Sequence, residues 1–414
     1  MFIIFSFLLS FSKPVYPSEV LTWDDCAREV SVNNLDLKSG RETVNVFKYR
    51  KKGVWSEFLP SINAGLNTSR GNSNTTLMSD SSSYAASLSV SQNLFSGFES
   101  RGKLLEAEAN LEGQEAAYRS IKANVAYELR AAFAQLVYAQ NYVVLSENII
   151  KRRKDNLDIV QLRFEGGMEN KGSLLLSKAS LEDAEYDYSQ ALHILDVARQ
   201  RLANVLGRQS LAADVQITGT IPSNDPETNV NINEIALNTP GYQISKSQVK
   251  AYKANLTIAR SAFYPTLDFA GSTSKQGDTW PMKDNSWSVM LSLSIPLFSG
   301  GKDFYGTYSA SSLLASSSYD QENTNLQIIL SLKQAYNDFV DSIQRVKVYK
   351  SYVIAASTRA EIARNKYNNG LLSFENWDII ENDLINRQRT AAQTVRDSAV
   401  AEANWLKVQG KGLL

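Results

Sequence analysis

The chain of 414 residues holds one cysteine, Cys26, and one histidine, His193. Nucleophile–base triads, thiolate zinc clusters and histidine metal sites all need more than that. No phosphate-cradling glycine loop, HExxH or G-x-S-x-G motif is present. Cys26, in "LTWDDCAREV", reads as a packed small residue on an amphipathic helix, and His193, in "QALHILDVARQ", as a seam or surface residue. The expectation is no enzyme, no cofactor and no metal. What recurs instead is a set of glycine-bearing phrases. "LFSGF" (94–98) returns as "LFSGG" (297–301), and "RFEGG" (163–167) returns as "KYNNG" (366–370). Glycine in such places does conformational chemistry: it reaches positive φ, so a chain can reverse or swing from strand to helix.

The spacing of these phrases shows what they must join. Phe95 and Phe298, Gly167 and Gly370, and Gly207 and Gly410 are all separated by 203 residues. "EFLPSI" (57–62) and "AFYPTL" (262–267) stand 205 apart, so one loop differs by two residues. The chain is thus an internal duplication. Residues 19–207 form repeat 1, 208–231 a linker and 232–414 repeat 2. Each repeat reads helix–strand–strand–long helix–helix. The first helix runs from Asp24 to Lys52, then again from about Ile232 to Ser261. Strands follow at 58–69 and 84–95, and at 264–275 and 286–298. Long helices, free of proline, are expected at 98–164 and 303–367, with tips at 165–172 and 368–375. Such a helix would extend about 100 Å at 1.5 Å per residue, which implies an elongated coiled assembly. Val125, Leu129, Ala132, Leu136, Ala139, Val143, Ser146, Ile150, Arg153, Leu157, Val160 and Phe164 form a heptad seam. Its counterpart 203 residues on runs from Ile328 to Tyr367. A strict 3.5-residue period over this length marks coiled-coil packing.

Lys+Arg and Asp+Glu are both 43, a neutral balance that argues against a nucleic-acid partner. The opening "MFIIFSFLLSFSKPVYPSEV" carries a short apolar core at 2–11 and small residues near Ser12. It reads as a signal peptide over 1–18, cleaved after Ser12. It departs from that pattern in having no Lys or Arg before the apolar run, and a buried N-terminal segment is the alternative. Nothing later is long and apolar enough for a membrane helix, so any membrane crossing must use strands. The strands allow it. Trp287, Val289, Leu291, Leu293, Ile295 and Leu297 share one face, and Ser288, Met290, Ser292, Ser294 and Pro296 the other. That pattern fits a barrel with lipid outside and water inside, and also a half-buried sheet in a soluble sandwich. Long polar loops and aromatics at the strand ends (Phe58, Tyr84, Phe95, Tyr264, Trp280, Trp287, Phe298) favour the barrel. Four strands cannot close one. Three copies would supply twelve, so a homotrimer is expected.

The twice-given element order resembles the TolC family of outer-membrane efflux and secretion channels. So do "LTWDDCAREVSVNNLDLKSGRE", "FLPSI" and "FYPTL" before the strands, "LFSGF" and "LFSGG" after them, and "RFEGG" and "KYNNG" at the helix ends. The resemblance implies an all-α plus membrane β-barrel fold: a trimeric twelve-stranded barrel continuous with a long α-helical coiled-coil tunnel. It implies a passive exit duct in the outer membrane of a Gram-negative bacterium, with its helices in the periplasm. Its partners would be a periplasmic membrane-fusion adaptor and an inner-membrane transporter, which supplies the energy for a tripartite efflux pump or a type I secretion system. Arg163, Phe164, Gly166, Gly167, Tyr367, Asn369 and Gly370 would face the adaptor; turn chemistry alone also explains the glycines. Phe95, Gly97, Phe298 and Gly300 would form the barrel–tunnel joint. The family's best-known aspartate rings align with Asn376 and Ile379, so Glu375, Asn376 and Asp378 are the candidates for the constriction, with solvated surface acids as the alternative. Tyr367 matches a gate residue, but Leu372 stands where an Arg is expected and Ser173 where an Asp is. A non-channel coiled-coil structural or surface protein is the rival reading.

Overall fold

The computed structural model describes residues 20–73, 79–211, 216–218, 225–227 and 229–412. The segment 1–18 lies outside the described residues. The chain forms two compact units, and each draws on both halves of the sequence, so the repeats are not the compact units. One takes the chain up to Leu37 with Lys122–Val230 and Gln334–Leu414, the other Lys38–Ile121 with Asn231–Lys333.

The first unit is helical. It holds α1 (Trp23–Asn33), α4 (Lys171–Leu206) and α8 (Phe374–Val408), with the C-terminal parts of α3 (Glu99–Glu165) and α7 (Lys302–Asn368). Leu129, Ala132, Leu136, Ala139, Ser146 and Val160 of the first seam are almost fully buried, as are Ala335, Phe339, Ala360, Ala363 and Tyr367 of the second. The buried face of α3 is wider than one seam, because Phe133, Ile149 and Asn156 are inside too. Ile149 packs with Ala184 of α4 and Ile385 of α8, so α3 lies between two neighbours. The linker is not featureless: β4 (Gln216–Ile217) pairs in parallel with β1 (Val20–Leu21).

The second unit holds α2 (Leu35–Val54) from Lys38 on, α5 (Ile232–Asn238), α6 (Pro240–Ser261), the first parts of α3 and α7, and a sheet. The helices expected from Asp24 to Lys52 and from about Ile232 to Ser261 are therefore each broken in two. Asn34 ends α1 because its Oδ1 accepts from the N–H groups of Asp36 (3.0 Å) and Leu37 (3.1 Å), while its Nδ2 donates to the Val205 carbonyl at 2.9 Å. Thr239 breaks the other helix with ψ 147°, the extended conformation imposed on a residue before proline, and Pro240 opens α6.

The sheet runs β2 (Ser61–Ser73), β3 (Ser79–Ser96), β5 (Thr266–Gly277), β6 (Asp284–Ser294), all antiparallel. The strand expected from 58 starts later, because Trp55–Phe58 form a 3-10 turn. The strand expected to reach 298 stops at Ser294, where its partner β5 begins at Thr266 and Pro296 has no N–H to offer. Phe298 is therefore outside the sheet. Register aligns Asn63, Ser89, Ser272 and Ser288 across all four strands, and Gly65, Ser87, Ser274 and Ser286 in the next row. Their hydroxyls pair across strands, Ser272 with Ser288 at 2.9 Å and Ser274 with Ser286 at 2.7 Å. The opposite face is apolar and exposed: Trp287, Val289, Leu291 and Leu293 are each more than half accessible. Among the described residues the outer edges of β2 and β6 have no strand partner.

Candidate functional site: the helix tips and the strand–helix junctions

Both tips are built by the same local code. α3 ends in a left-handed residue, Gly167 (φ 73°), with Met168 N–H donating to the Arg163 carbonyl at 2.8 Å. α7 ends at Gly370 (φ 74°), with Leu371 N–H donating to the Lys366 carbonyl at 2.8 Å. These are Schellman closures that satisfy the last carbonyls of each helix. Gly166 and Asn369 are not in the left-handed region, so the demand for glycine falls on Gly167 and Gly370 alone. A Cβ on either would meet nothing within 4 Å. Backbone conformation, not crowding, selects glycine there. The next helices are then capped at matching positions: Asn170 Oδ1 accepts from Ser173 N–H at 2.9 Å, and the Ser373 hydroxyl from Asn376 N–H at 3.5 Å.

The two tips are tied together. Arg163 Nη1 donates to the Tyr367 carbonyl at 2.9 Å, and its guanidinium lies 4.8 Å above the Tyr367 ring. The Tyr367 hydroxyl donates to Glu169 Oε2 at 3.0 Å. The other face of the ring stacks on Trp377, with centroids 4.3 Å apart, and Phe374 closes the cluster with Val160 and Ala363. Tyr367 and Trp377 are each 1% exposed. Phe164 is half-buried, and Gly166, Gly167, Asn369 and Gly370 are exposed.

Burial, then the Glu169 carboxylate, pushes the Tyr367 hydroxyl above its ordinary range. Burial works to raise the Glu169 carboxyl, but hydrogen bonds from Asn170 N–H and the Tyr367 hydroxyl, with the nearby Arg163, hold it below its ordinary value. The signs follow. The lowered Glu169 contributes stability that is full above about pH 4.3 and is lost as pH falls through its folded value. The raised Tyr367 contributes below about pH 10 and loses its contribution as pH rises beyond. Glu169→Gln is expected to flatten the acid limb of thermal stability between about pH 5 and 3 and to weaken the alkaline limb in part, since burial alone then raises Tyr367, as read by circular dichroism in detergent.

Of the constriction candidates, Glu375 and Asn376 are exposed in the first turn of α8. Asp378 is not a free carboxylate: Arg153 Nη1 donates to it at 3.3 Å and Asn382 Nδ2 at 2.9 Å. Cys26 is fully buried, and burial, then the charges of Glu29 and Asp25, push its thiol up to about 12, which makes it inert at neutral pH. His193 is exposed on α4. Glu169, Phe374 and Trp377 did not stand out in the sequence. Their signal was faint: an acid and two aromatics within a turn of the two helix caps.

At the junctions, Gly97 has φ 62° and Gly300 φ 66°. The surroundings differ. Gly97 is buried, and Phe98 after it is itself left-handed (φ 74°), held edge-on by Phe95 at 5.3 Å and Tyr264 at 5.5 Å. The counterpart of Phe98 is Gly301, also at positive φ, and Phe298 is exposed. The first joint is packed and the second is open.

Among the described residues no group of His, Cys, Asp and Glu could hold a metal, and no helix is long and apolar enough to cross a membrane. The family model for outer membrane efflux proteins matches residues 27–208 and 231–403. The chain is 22% identical over 369 residues to the alkaline protease secretion protein AprF of Pseudomonas aeruginosa, covering 87% of this chain and 73% of that one. It is 22% identical over 393 residues to the outer membrane efflux protein BepC of Brucella suis, covering 92% and 83%. Among solved structures, CusC superposes with a TM-score of 0.85 at 17% identity, covering 94% of this chain and 92% of CusC. The Campylobacter jejuni outer membrane channel CmeC gives 0.82 at 16% identity, covering 94% and 85%. The two matched segments fall on the two halves of the duplication, and 94% of the chain superposes on CusC: it belongs to the outer membrane efflux protein family, the outer membrane factors of the TolC type.

Proposed function

We propose that three copies of this chain form the passive exit duct of a tripartite efflux pump or a type I secretion system. The observation that carries the assembly is the sheet. It has one exposed apolar face, one hydroxyl-rich face, and two edges without a strand partner. An exposed edge strand is a template for pairing, and closing three such sheets edge to edge gives twelve strands with lipid outside and water inside. Aromatics sit towards both ends of the sheet, Tyr84 beside Trp280 and Phe98 beside Tyr264, where a membrane boundary favours them. As an outer membrane efflux family member the chain is an exit channel, not an enzyme, and the non-channel reading is set aside. The periplasmic adaptor would meet the exposed tip residues Gly166, Gly167, Asn369 and Gly370, and the transporter behind it would supply the energy. Glu375, exposed beside the second tip, is the candidate acid of the constriction. Opening would be an iris-like movement of the tip helices.

Cysteines placed at Glu169 and Asn369 and bridged by a bifunctional reagent test this reading. Cys26 is buried and will not compete. The bridged protein is expected to assemble as a trimer in the outer membrane and to fail in export. Unimpaired export by a fully bridged trimer would refute the gating.

A further inference from the structure

The two halves diverge in the helix turns that lead into the first strand of each. α2 runs out through "FKYRKKGVWSEF" (47–58), and its counterpart 205 residues on, at the end of α6, is "YKANLTIARSAF" (252–263). In the second half this stretch is packed, with Ala254 and Leu256 buried. In the first half the matching positions are Tyr49, 66% exposed, and Lys51, half-buried. Lys48, Arg50 and Lys52 are exposed, where the second half has Lys253, Asn255 and Thr257. Lys51 is taken up by Glu108 at 3.0 Å, but among the described residues no acid pairs with Lys48, Arg50 or Lys52. Two of these cations lie over aromatic rings instead: the Arg50 guanidinium is 4.9 Å from the centre of Phe47, and Lys52 Nζ is 5.7 Å from that of Tyr49.

The depth of these cations follows from their neighbours. Trp55 and Phe58, with ring centres 5.6 Å apart, and Leu59 are exposed just before β2 opens at Ser61. An exposed tryptophan beside a membrane strand belongs at headgroup level, where its ring is apolar and its N–H is wet. Lys52 precedes Trp55 by about 5 Å of helix, and Lys48 by about 10 Å. A lysine stem spans the first distance, and the second is about one Debye length. A leaflet of anionic phospholipid presents phosphates at this depth, and ammonium and guanidinium groups meet them in charge-assisted hydrogen bonds. We propose that Lys48, Arg50 and Lys52, with Tyr49 and Trp55, hold the headgroup phosphate of an anionic phospholipid in the inner leaflet of the outer membrane. Each subunit has one such site, at the end of α2, and none at the end of α6. This rests on the reading of the sheet as part of a membrane barrel with its helices in the periplasm.

The test places the purified full chain in nanodiscs of equal parts phosphatidylcholine and phosphatidylglycerol and reads the lipids it retains by native mass spectrometry. Phosphatidylglycerol is expected to be retained in preference. Lys48→Gln, Arg50→Gln and Lys52→Gln are each expected to lower that preference about fivefold, and added salt to lower it too. Lys253→Gln with Arg260→Gln, at the end of α6, should leave it unchanged. Equal retention of the two lipids by the unaltered protein would overturn the site, and so would a preference that survives the triple substitution. Added lipopolysaccharide that displaces phosphatidylglycerol from these residues would also overturn it. A triple variant that falls into smaller oligomers in phosphatidylcholine alone would show that the face meets a second copy of the chain, which equally removes the lipid site. Failure of the unaltered protein to enter nanodiscs refutes the membrane barrel; entry without a lipid preference leaves the barrel standing and removes this site alone.

Discussion

Gly97→Ala is expected to destabilise the protein by about 3 kcal/mol or more, while Gly300→Ala, its counterpart in the other half, costs about 1 kcal/mol. Both glycines are left-handed, so both substitutions carry the strain of placing a Cβ at positive φ. The difference is space. A Cβ on Gly97 would stand 2.7 Å from the Ser261 carbonyl oxygen and 2.8 Å from Tyr264 Cβ. Neither atom is the free end of a flexible side chain. The end of α6 or the strand–helix turn would have to move. A Cβ on Gly300 meets nothing within 4 Å. Thermal unfolding in detergent, run on the two variants side by side, checks the asymmetry. Equal losses would show that the packed first joint is not rigid.

Trp377→Ala is expected to cost about 3–5 kcal/mol and to loosen the second tip. The ring is 1% exposed, stacks on Tyr367 and meets Phe374 edge-on. Its removal leaves a hole against Val160 and Ala363 that helix backbones cannot collapse to fill. Trp377 Nε1 has no hydrogen-bond partner among the described residues. Trp377→Phe therefore loses packing area without losing a bond, and about 1.5 kcal/mol or less is expected. The alanine variant should also lengthen the Tyr367–Glu169 tie, because Trp377 holds the Tyr367 ring in place. Denaturant unfolding measures the first effect, and proteolysis at the second tip the second.

The parts of this molecule that were legible in the sequence are those encoded locally or periodically. A seam repeats every 3.5 residues, a Schellman turn needs one glycine, and a strand face alternates, so each shows in a short window. The duplication then made each visible twice. What escaped depends on a distant partner. Asn34 breaks its helix with a side chain whose amide reaches Val205, 171 residues away. The break at Thr239 carried a local sign, Pro240, that outranks helix periodicity. Arg153 was part of the first seam while its counterpart is Ala356, and an arginine in an apolar seam asks for an acid opposite it. That acid, with Glu381 beside it, lay on α8, 225 residues further on. The two glycine junctions read alike in sequence. The close approach of Ser261 and Tyr264 to Gly97, and the packing of Phe98 where the second joint has Gly301, distinguish them.

The central claim is that this chain is a subunit of a water-filled duct. The most direct measurement joins the oligomeric mass of the purified protein in detergent with its ion conductance in a planar bilayer. The account predicts a complex of three chains that conducts, with openings that become rarer when the two tips are bridged. A monomer that never conducts would contradict it.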